Sequence, residues 1–135
     1  MGTDTLAGNE RLVVVAPEFL VRNLQTSLQF YTKGLGFEVL RRDPDFAVVG
    51  LGEAHVLLVV AQETPEVKAW LDSGPRGVGF NVRIMVDDVD AVYKRAKAAN
   101  AFFVDDIADR SYGLRDFMIA DVDGFVLRFA APVAR

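Results

Sequence analysis

Apolar positions along this chain recur first at strand spacing, then at helix spacing, and the whole sequence of changes is then repeated. Residues 12–21 are rich in Val and Leu and read as a strand, with Pro17 marking an irregular or edge position because proline cannot donate to a sheet ladder. Asn23 is placed to cap a helix whose apolar residues Leu24, Leu28, Tyr31 and Leu35 return at near-helical spacing, so this stripe should lie on a sheet. Phe30 falls off the stripe and is expected to be partly exposed or at an interface. Gly34 and Gly36 stop the helix. Residues 37–42, 46–51 and 55–61 then read as short strands, separated by Asp43-Pro44-Asp45 and by Gly52-Glu53.

Thr64 followed by Pro65 is a cap and first-turn signature, predicting a short connecting helix over 65–71 that ends at Ser73-Gly74-Pro75. A strand over 79–86 and an Asp88-capped helix with Val89, Val92, Tyr93 and Ala96 on one face follow. That helix ends near Asn100, a residue type that tolerates the left-handed conformation. Strands over 102–105, 114–120 and 125–131 complete the chain. Val21 to Val86, Phe37 to Phe102 and Val39 to Val104 share a 65-residue offset, so a strand, cap, helix, strand unit recurs without gaps. Two copies of a unit that cannot bury its own apolar face predict one domain with a groove between or beneath them.

The length of 135 residues and the 51% apolar composition suit one packed domain and are too small for two. The expected division is a flexible N-terminus over 1–11, a single domain over 12–135, module one over 12–62, a linker over 63–77 and module two over 78–131. No apolar run approaches the roughly 20 residues a membrane span requires, and no secretory h-region opens the chain. A cytoplasmic location is the expectation. There is no cysteine, which removes disulfides and thiolate ligands or nucleophiles. With a net charge of −4, and Lys94, Arg95 and Lys97 read as the solvated side of a helix, nucleic acid is not an expected partner.

Leu20-Val21-Arg22-Asn23-Leu24, Ser27-Leu28-Gln29-Phe30-Tyr31 and Leu35-Gly36-Phe37 resemble the opening signature of the vicinal oxygen chelate superfamily, which includes glyoxalase I, bleomycin-resistance proteins and extradiol dioxygenases. Residues 86–93 resemble its second-module counterpart. Gly113-Leu114-Arg115-Asp116-Phe117, Asp121-Val122-Asp123-Gly124 and Leu127-Arg128-Phe129 resemble its C-terminal pattern, with Val122 where proline is usual. The resemblance implies an α+β fold of two tandem βαβββ modules whose mixed sheet curves around a cavity, helices outside, usually completed by a second subunit. Residues 75–81 also look like the glycine-rich approach found in bleomycin-resistance-like members.

Catalytic members of that superfamily hold a divalent metal with His and Glu or Gln. By alignment, the histidine positions fall on Ala16 and Asn81, the last-strand glutamate on Arg128, and its first-module counterpart within Leu57, Leu58 and Val59. A side-chain site for Zn, Fe or Mn needs several converging imidazoles, thiolates or carboxylates, and a guanidinium repels a cation. No metal and no cofactor are expected. The single histidine, His55, reads as a surface or half-buried structural residue. Asp121 and Asp123 with Gly124 read as a tight hairpin turn, since the later ligands of a calcium loop are missing.

Strand alternation sends Phe19, Val21, Val82, Ile84, Val86, Leu127 and Phe129 toward the helices, and Ala16, Glu18, Leu20, Asn81, Arg83, Met85, Val126, Arg128 and Ala130 toward the groove. Among apolar neighbours, Glu18, Asn81, Arg83 and Arg128 should pair with one another or with a ligand. Trp70 and Tyr112 are candidates to cover the groove, or to pack across a dimer seam. The expected ligand-binding set is therefore Glu18, Trp70, Asn81, Arg83, Met85, Tyr112 and Arg128. Besides a module that only supports a partner protein, two functions are left open. One is a metal-free small-molecule binder resembling bleomycin-resistance proteins, a homodimer sequestering a cationic or planar ligand. The other is a lyase or isomerase of altered metal dependence, with Glu18 as base and Arg83 or Arg128 stabilising an oxyanion.

Overall fold

The computed structural model of the chain describes residues 12–61 and 64–134; the expected flexible segment over 1–11 lies outside the described residues. The fold is α+β, with two four-stranded mixed sheets and helices packed on one face of each. Module one contains β1 (Glu18–Val21), α1 (Leu24–Gln29) running into a π-helical turn (Phe30–Gly34), β2 (Glu38–Asp43), β3 (Phe46–Leu51) and β4 (Ala54–Val60). After the connecting helix α2 (Pro65–Leu71) come β5 (Asn81–Met85), α3 (Val89–Ala98), β6 (Phe102–Asp109), β7 (Leu114–Ala120) and β8 (Val126–Pro132). The strand orders are β1-β4-β3-β2 and β5-β8-β7-β6, so each module places its first strand parallel to its last at the sheet edge.

The caps form where the sequence places them. Asn23 Oδ1 accepts from Thr26 N at 2.9 Å, Thr64 Oγ1 from Val67 N at 3.2 Å and Asp88 Oδ1 from Ala91 N at 3.0 Å. Each satisfies one donor that a helix start would otherwise leave without a partner. Asn100 ends the second long helix with φ +56°. Leu24, Leu28, Tyr31 and Leu35 are all buried, as their spacing predicts.

Strand bounds differ from the sequence pattern by two or more residues in three places. The first strand starts only at Glu18, because Pro17 has no N–H and contributes just its carbonyl, which accepts from Leu57 N at 2.9 Å. Strand β5 starts at Asn81 because Gly79, at φ +77°, leaves the extended region two residues earlier. Strand β6 runs on to Asp109 through two register shifts, which let a polar, irregular segment stay paired with β7.

Both sheets turn one face to a single core. Phe19 stacks on Phe125 with ring centroids 4.4 Å apart, and Phe37 meets Phe129 edge to face at 6.4 Å, so each contact joins the two modules. Burying rings such as Tyr31, Phe117 and Phe129 contributes about 1.5–3 kcal/mol each. Alternation along the strands is as expected. Phe19, Val21, Ile84, Leu127 and Phe129 are buried in the core, whereas Glu18, Asn81, Arg83 and Met85 are exposed on the other faces. No helix among the described residues is long and apolar enough to cross a membrane.

A second, polar set of contacts locks the modules together. Tyr31 donates to Asp121 Oδ2 at 2.6 Å, and Asp123 accepts from Arg22 N, Arg22 Nη1, Arg76 Nη1 and Ser27 Oγ. The Asp121 to Gly124 segment is the tight turn expected between β7 and β8, with Asp121 Oδ1 accepting from Asp123 N and Phe125 N. Burial, then the Asp121 charge, pushes the Tyr31 hydroxyl well above the usual tyrosine range. Burial also raises the Asp121 carboxyl, against the hydrogen bonds it accepts.

Candidate functional site

The uncovered face of the second sheet is built from three rows of side chains set by strand register. Arg83, Arg128 and Met118 face one another across β5, β8 and β7; Asn81, Val126, Ala120 and Phe102 form the row on one side; Met85, Ala130 and Asp116 form the row on the other. Period-2 alternation in each strand fixes which residues appear here, because their neighbours Ile84, Leu127, Phe129, Phe117 and Ile119 are spent on the core.

Asp116 is the electrostatic centre of this face. It is buried, at 2% exposure, yet keeps a network of donors: Arg110 Nε at 2.8 Å, Tyr112 Oη at 2.7 Å and, more distantly, Arg128 Nη1 at 3.5 Å. Burial works upward on its carboxyl, but hydrogen bonds from Tyr112 and Arg110 and the nearby guanidiniums outweigh it and hold the pKa below the usual carboxylate range. Tyr112, bonded to that carboxylate, is raised. Arg110 also pairs with Asp105 at 3.2 Å. The sequence reading missed Asp116 and Arg110. The available signal was a charged residue on the outward parity of β7, between apolar Leu114 and Met118, with an arginine just across a short hairpin.

Because a depressed carboxyl pKa stabilises the fold above the ordinary carboxylate value, Asp116→Asn should cost about 1–2 kcal/mol at pH 7. The difference should shrink as pH falls through the folded-state pKa of Asp116. Urea unfolding of both proteins at pH 7 and pH 3 checks this; an equal loss at both would show that the charge is irrelevant.

The expected site residues are distributed rather than gathered. Asn81, Arg83, Met85 and Arg128 share the face just described, and Tyr112 folds onto it from the β6–β7 loop. Glu18 is on the other sheet, paired in register with Leu57, and no hydrogen bond or ion pair joins it to Arg83 or Arg128. Of the two expected alternatives, pairing with one another or with a ligand, the first does not form: Arg128 reaches Asp116 and Tyr112 from the neighbouring strand and its preceding loop instead. Trp70, 64% exposed, lines a cleft with Leu20, Arg76 and Phe125, whereas Tyr112 bonds to Asp116 and Arg128. A cleft of about 750 Å³ does open between the modules, lined by the β3–β4 turn, Arg83, Met85, Asp87 and Asp88.

His55 also differs from expectation. It is buried at 8% exposure, with Nδ1 lacking a partner, because its register partner on β3 is Gly50, which has no side chain, and Leu40 covers the gap Gly50 leaves.

The positions at which related catalytic folds would hold a metal do not fit one. Arg83 and Arg128 are register partners as Glu18 and Leu57 are, so the first-module counterpart of Arg128 is Leu57. Ala16, Leu57, Asn81 and Arg128 supply no imidazole or carboxylate. No group of three or more His, Asp or Glu side chains able to hold an ion comes together among the described residues.

The model of the Glyoxalase/Bleomycin resistance protein/Dioxygenase superfamily matches residues 11–129. Among solved structures, TioX from Micromonospora sp. ML1 is 21% identical with a TM-score of 0.71, covering 91% of this chain and 98% of its own. UcmS2 is 24% identical with a TM-score of 0.71, covering 90% and 98%. A glyoxalase/bleomycin resistance protein/dioxygenase from Alicyclobacillus acidocaldarius is 21% identical with a TM-score of 0.69, covering 90% and 92%. At these identities the likeness is one of fold. No curated protein matches the chain.

Proposed function

The chain belongs to the glyoxalase/bleomycin resistance protein/dioxygenase superfamily, and on that premise we propose that it is a metal-free small-molecule binding protein. The observation that carries this reading is the donor set. Where catalysis on this fold would draw on carboxylates and imidazoles around an ion, this chain has an alanine, a leucine, an asparagine and an arginine. What the sheet face offers instead is binding chemistry: guanidiniums, a tyrosine hydroxyl and an exposed thioether among small aliphatic residues. A few polar groups on a largely apolar wall are the usual make-up of a ligand site.

A second copy of the chain completes the site in this proposal. Each sheet spends one face on the shared core, so the other faces point away from it and a single chain does not enclose both. Phe80, Met85, Phe102 and Val104 are 57%, 47%, 71% and 48% exposed, a concentration of large apolar side chains around the second sheet. Such patches mark association surfaces more often than solvent-facing ones.

Native mass spectrometry with elemental analysis of protein purified without chelator tests the reading. The expected result is a dimer mass with Zn, Fe, Mn and Ni well below one equivalent per chain, and a melting temperature unmoved by EDTA. A stoichiometric transition metal, or a large EDTA-induced destabilisation, would overturn it.

A further inference from the structure

Resting on the reading that the uncovered face of the second sheet receives a small molecule, we propose that the face selects a carboxylate on a largely apolar body, held between Arg83 and Arg128.

The two arginines are direct register partners on the parallel strands β5 and β8, about 4.8 Å apart in the pairing direction. Both are on the face turned from the core, since Ile84, Leu127 and Phe129 beside them are buried. Like charges opposed across neighbouring strands repel unless an anion lies between them. No carboxylate among the described residues forms an ion pair with both. Arg83 makes no ion pair or hydrogen bond among the described residues, and it is exposed.

Arg128 is only half engaged. Its Nη1 makes long contacts of 3.3 Å to Tyr112 Oη and 3.5 Å to Asp116 Oδ2, and its Nε is buried without a partner. Asp116 is already held at 2.8 Å by Arg110 and 2.7 Å by Tyr112, so its charge is committed elsewhere. Asp105, which extends the row of Arg83, Arg128 and Met118, is paired with Arg110. Among the ion pairs of this face, both carboxylates are held by Arg110, which leaves Arg83 without an ion pair and Arg128 with only the long contact to Asp116. A planar carboxylate matches two neighbouring guanidiniums geometrically as well as in charge. The surrounding side chains, Met85, Met118, Val126, Ala120 and Phe102, are suited to the apolar remainder of such a molecule. A carboxylate ligand is opposite in sign to the cationic one that the chain's net charge of −4 alone suggests, and Glu53, Asp87 and Asp88, which line the cleft beside Arg83, do not pair with that arginine.

The test uses three probes of equal ring size: 2-naphthoate, 2-naphthamide and 2-naphthylmethylamine. Each is titrated calorimetrically into the wild type, Arg83→Gln and Arg42→Gln. Arg83 is the informative position because it is exposed and free of internal partners, so its replacement leaves the fold intact. Arg42→Gln removes the same charge from an exposed position on the other sheet. The expected result is that naphthoate binds wild type at least about tenfold more tightly than naphthamide. Arg83→Gln erases that preference, Arg42→Gln keeps it, and added salt weakens only the naphthoate. A preference for the amine, a naphthoate affinity unchanged in Arg83→Gln, or no naphthoate binding at millimolar concentration would each overturn the carboxylate proposal. The last result together with a different small molecule retained in native mass spectrometry would leave the binding function standing.

Discussion

Replacing Asp123 by alanine is expected to destabilise the fold by about 3–5 kcal/mol, a large part of the roughly 5–15 kcal/mol that holds a domain together. The reason lies in what Asp123 neutralises. Its carboxylate accepts from the Arg22 backbone and side chain, from Ser27 and from Arg76, and the Arg76 side chain is only 9% exposed. Removing the carboxylate leaves a buried guanidinium whose remaining partner is the Leu20 carbonyl, at 2.6 Å. An uncompensated buried charge costs far more than the turn propensity of one residue. By contrast, Arg22→Ala removes a side chain that is 62% exposed and should cost less than about 1 kcal/mol. Urea denaturation of the two variants separates these effects. A loss below about 1 kcal/mol for Asp123→Ala would mean that the carboxylate serves only the hairpin turn.

Gly77→Ala should be comparably damaging, at about 3 kcal/mol, for a reason that belongs to the backbone. Gly77 has φ +77°, where a Cβ is disfavoured by about 1–2 kcal/mol. The added Cβ would also overlap the carbonyl oxygen of Gly124, which belongs to the β7–β8 turn and cannot swing aside as a side chain could. Relieving that overlap requires the linker to separate from the turn, which pulls Arg76 off Asp123. Gly79→Ala provides the comparison. It has the same φ of +77° but nothing within reach of its Cβ, so it should show the conformational cost alone. Equal losses at the two positions would argue that the close approach to Gly124 contributes nothing.

These two sites show where local reading reached its limit. The turn formed by Asp121, Asp123 and Gly124 was legible because Asx and glycine positions in a hairpin are set by neighbours a few residues away. That the same aspartates fasten the modules was not legible. Their partners Tyr31, Ser27 and Arg22 are 90, 96 and 101 residues distant, and no periodicity connects residues so far apart. The same holds at the sheet face. Alternation placed Arg83 and Arg128 on it, but the pairing of Arg128 with Asp116 rather than Glu18 depends on which sheet each strand joins. Register also settled that Leu57, not Leu58 or Val59, is the counterpart of Arg128.

The sequence by itself determined the repeat, the helix caps, the strand faces and the superfamily, because each is written in residues within a turn or a strand of one another. The tertiary structure alone decided which charges meet, since Coulomb and hydrogen-bond energies act over a few ångströms in space whatever the separation along the chain. It thereby left Arg83 and Arg128 side by side, with Arg128 only loosely bonded to Asp116.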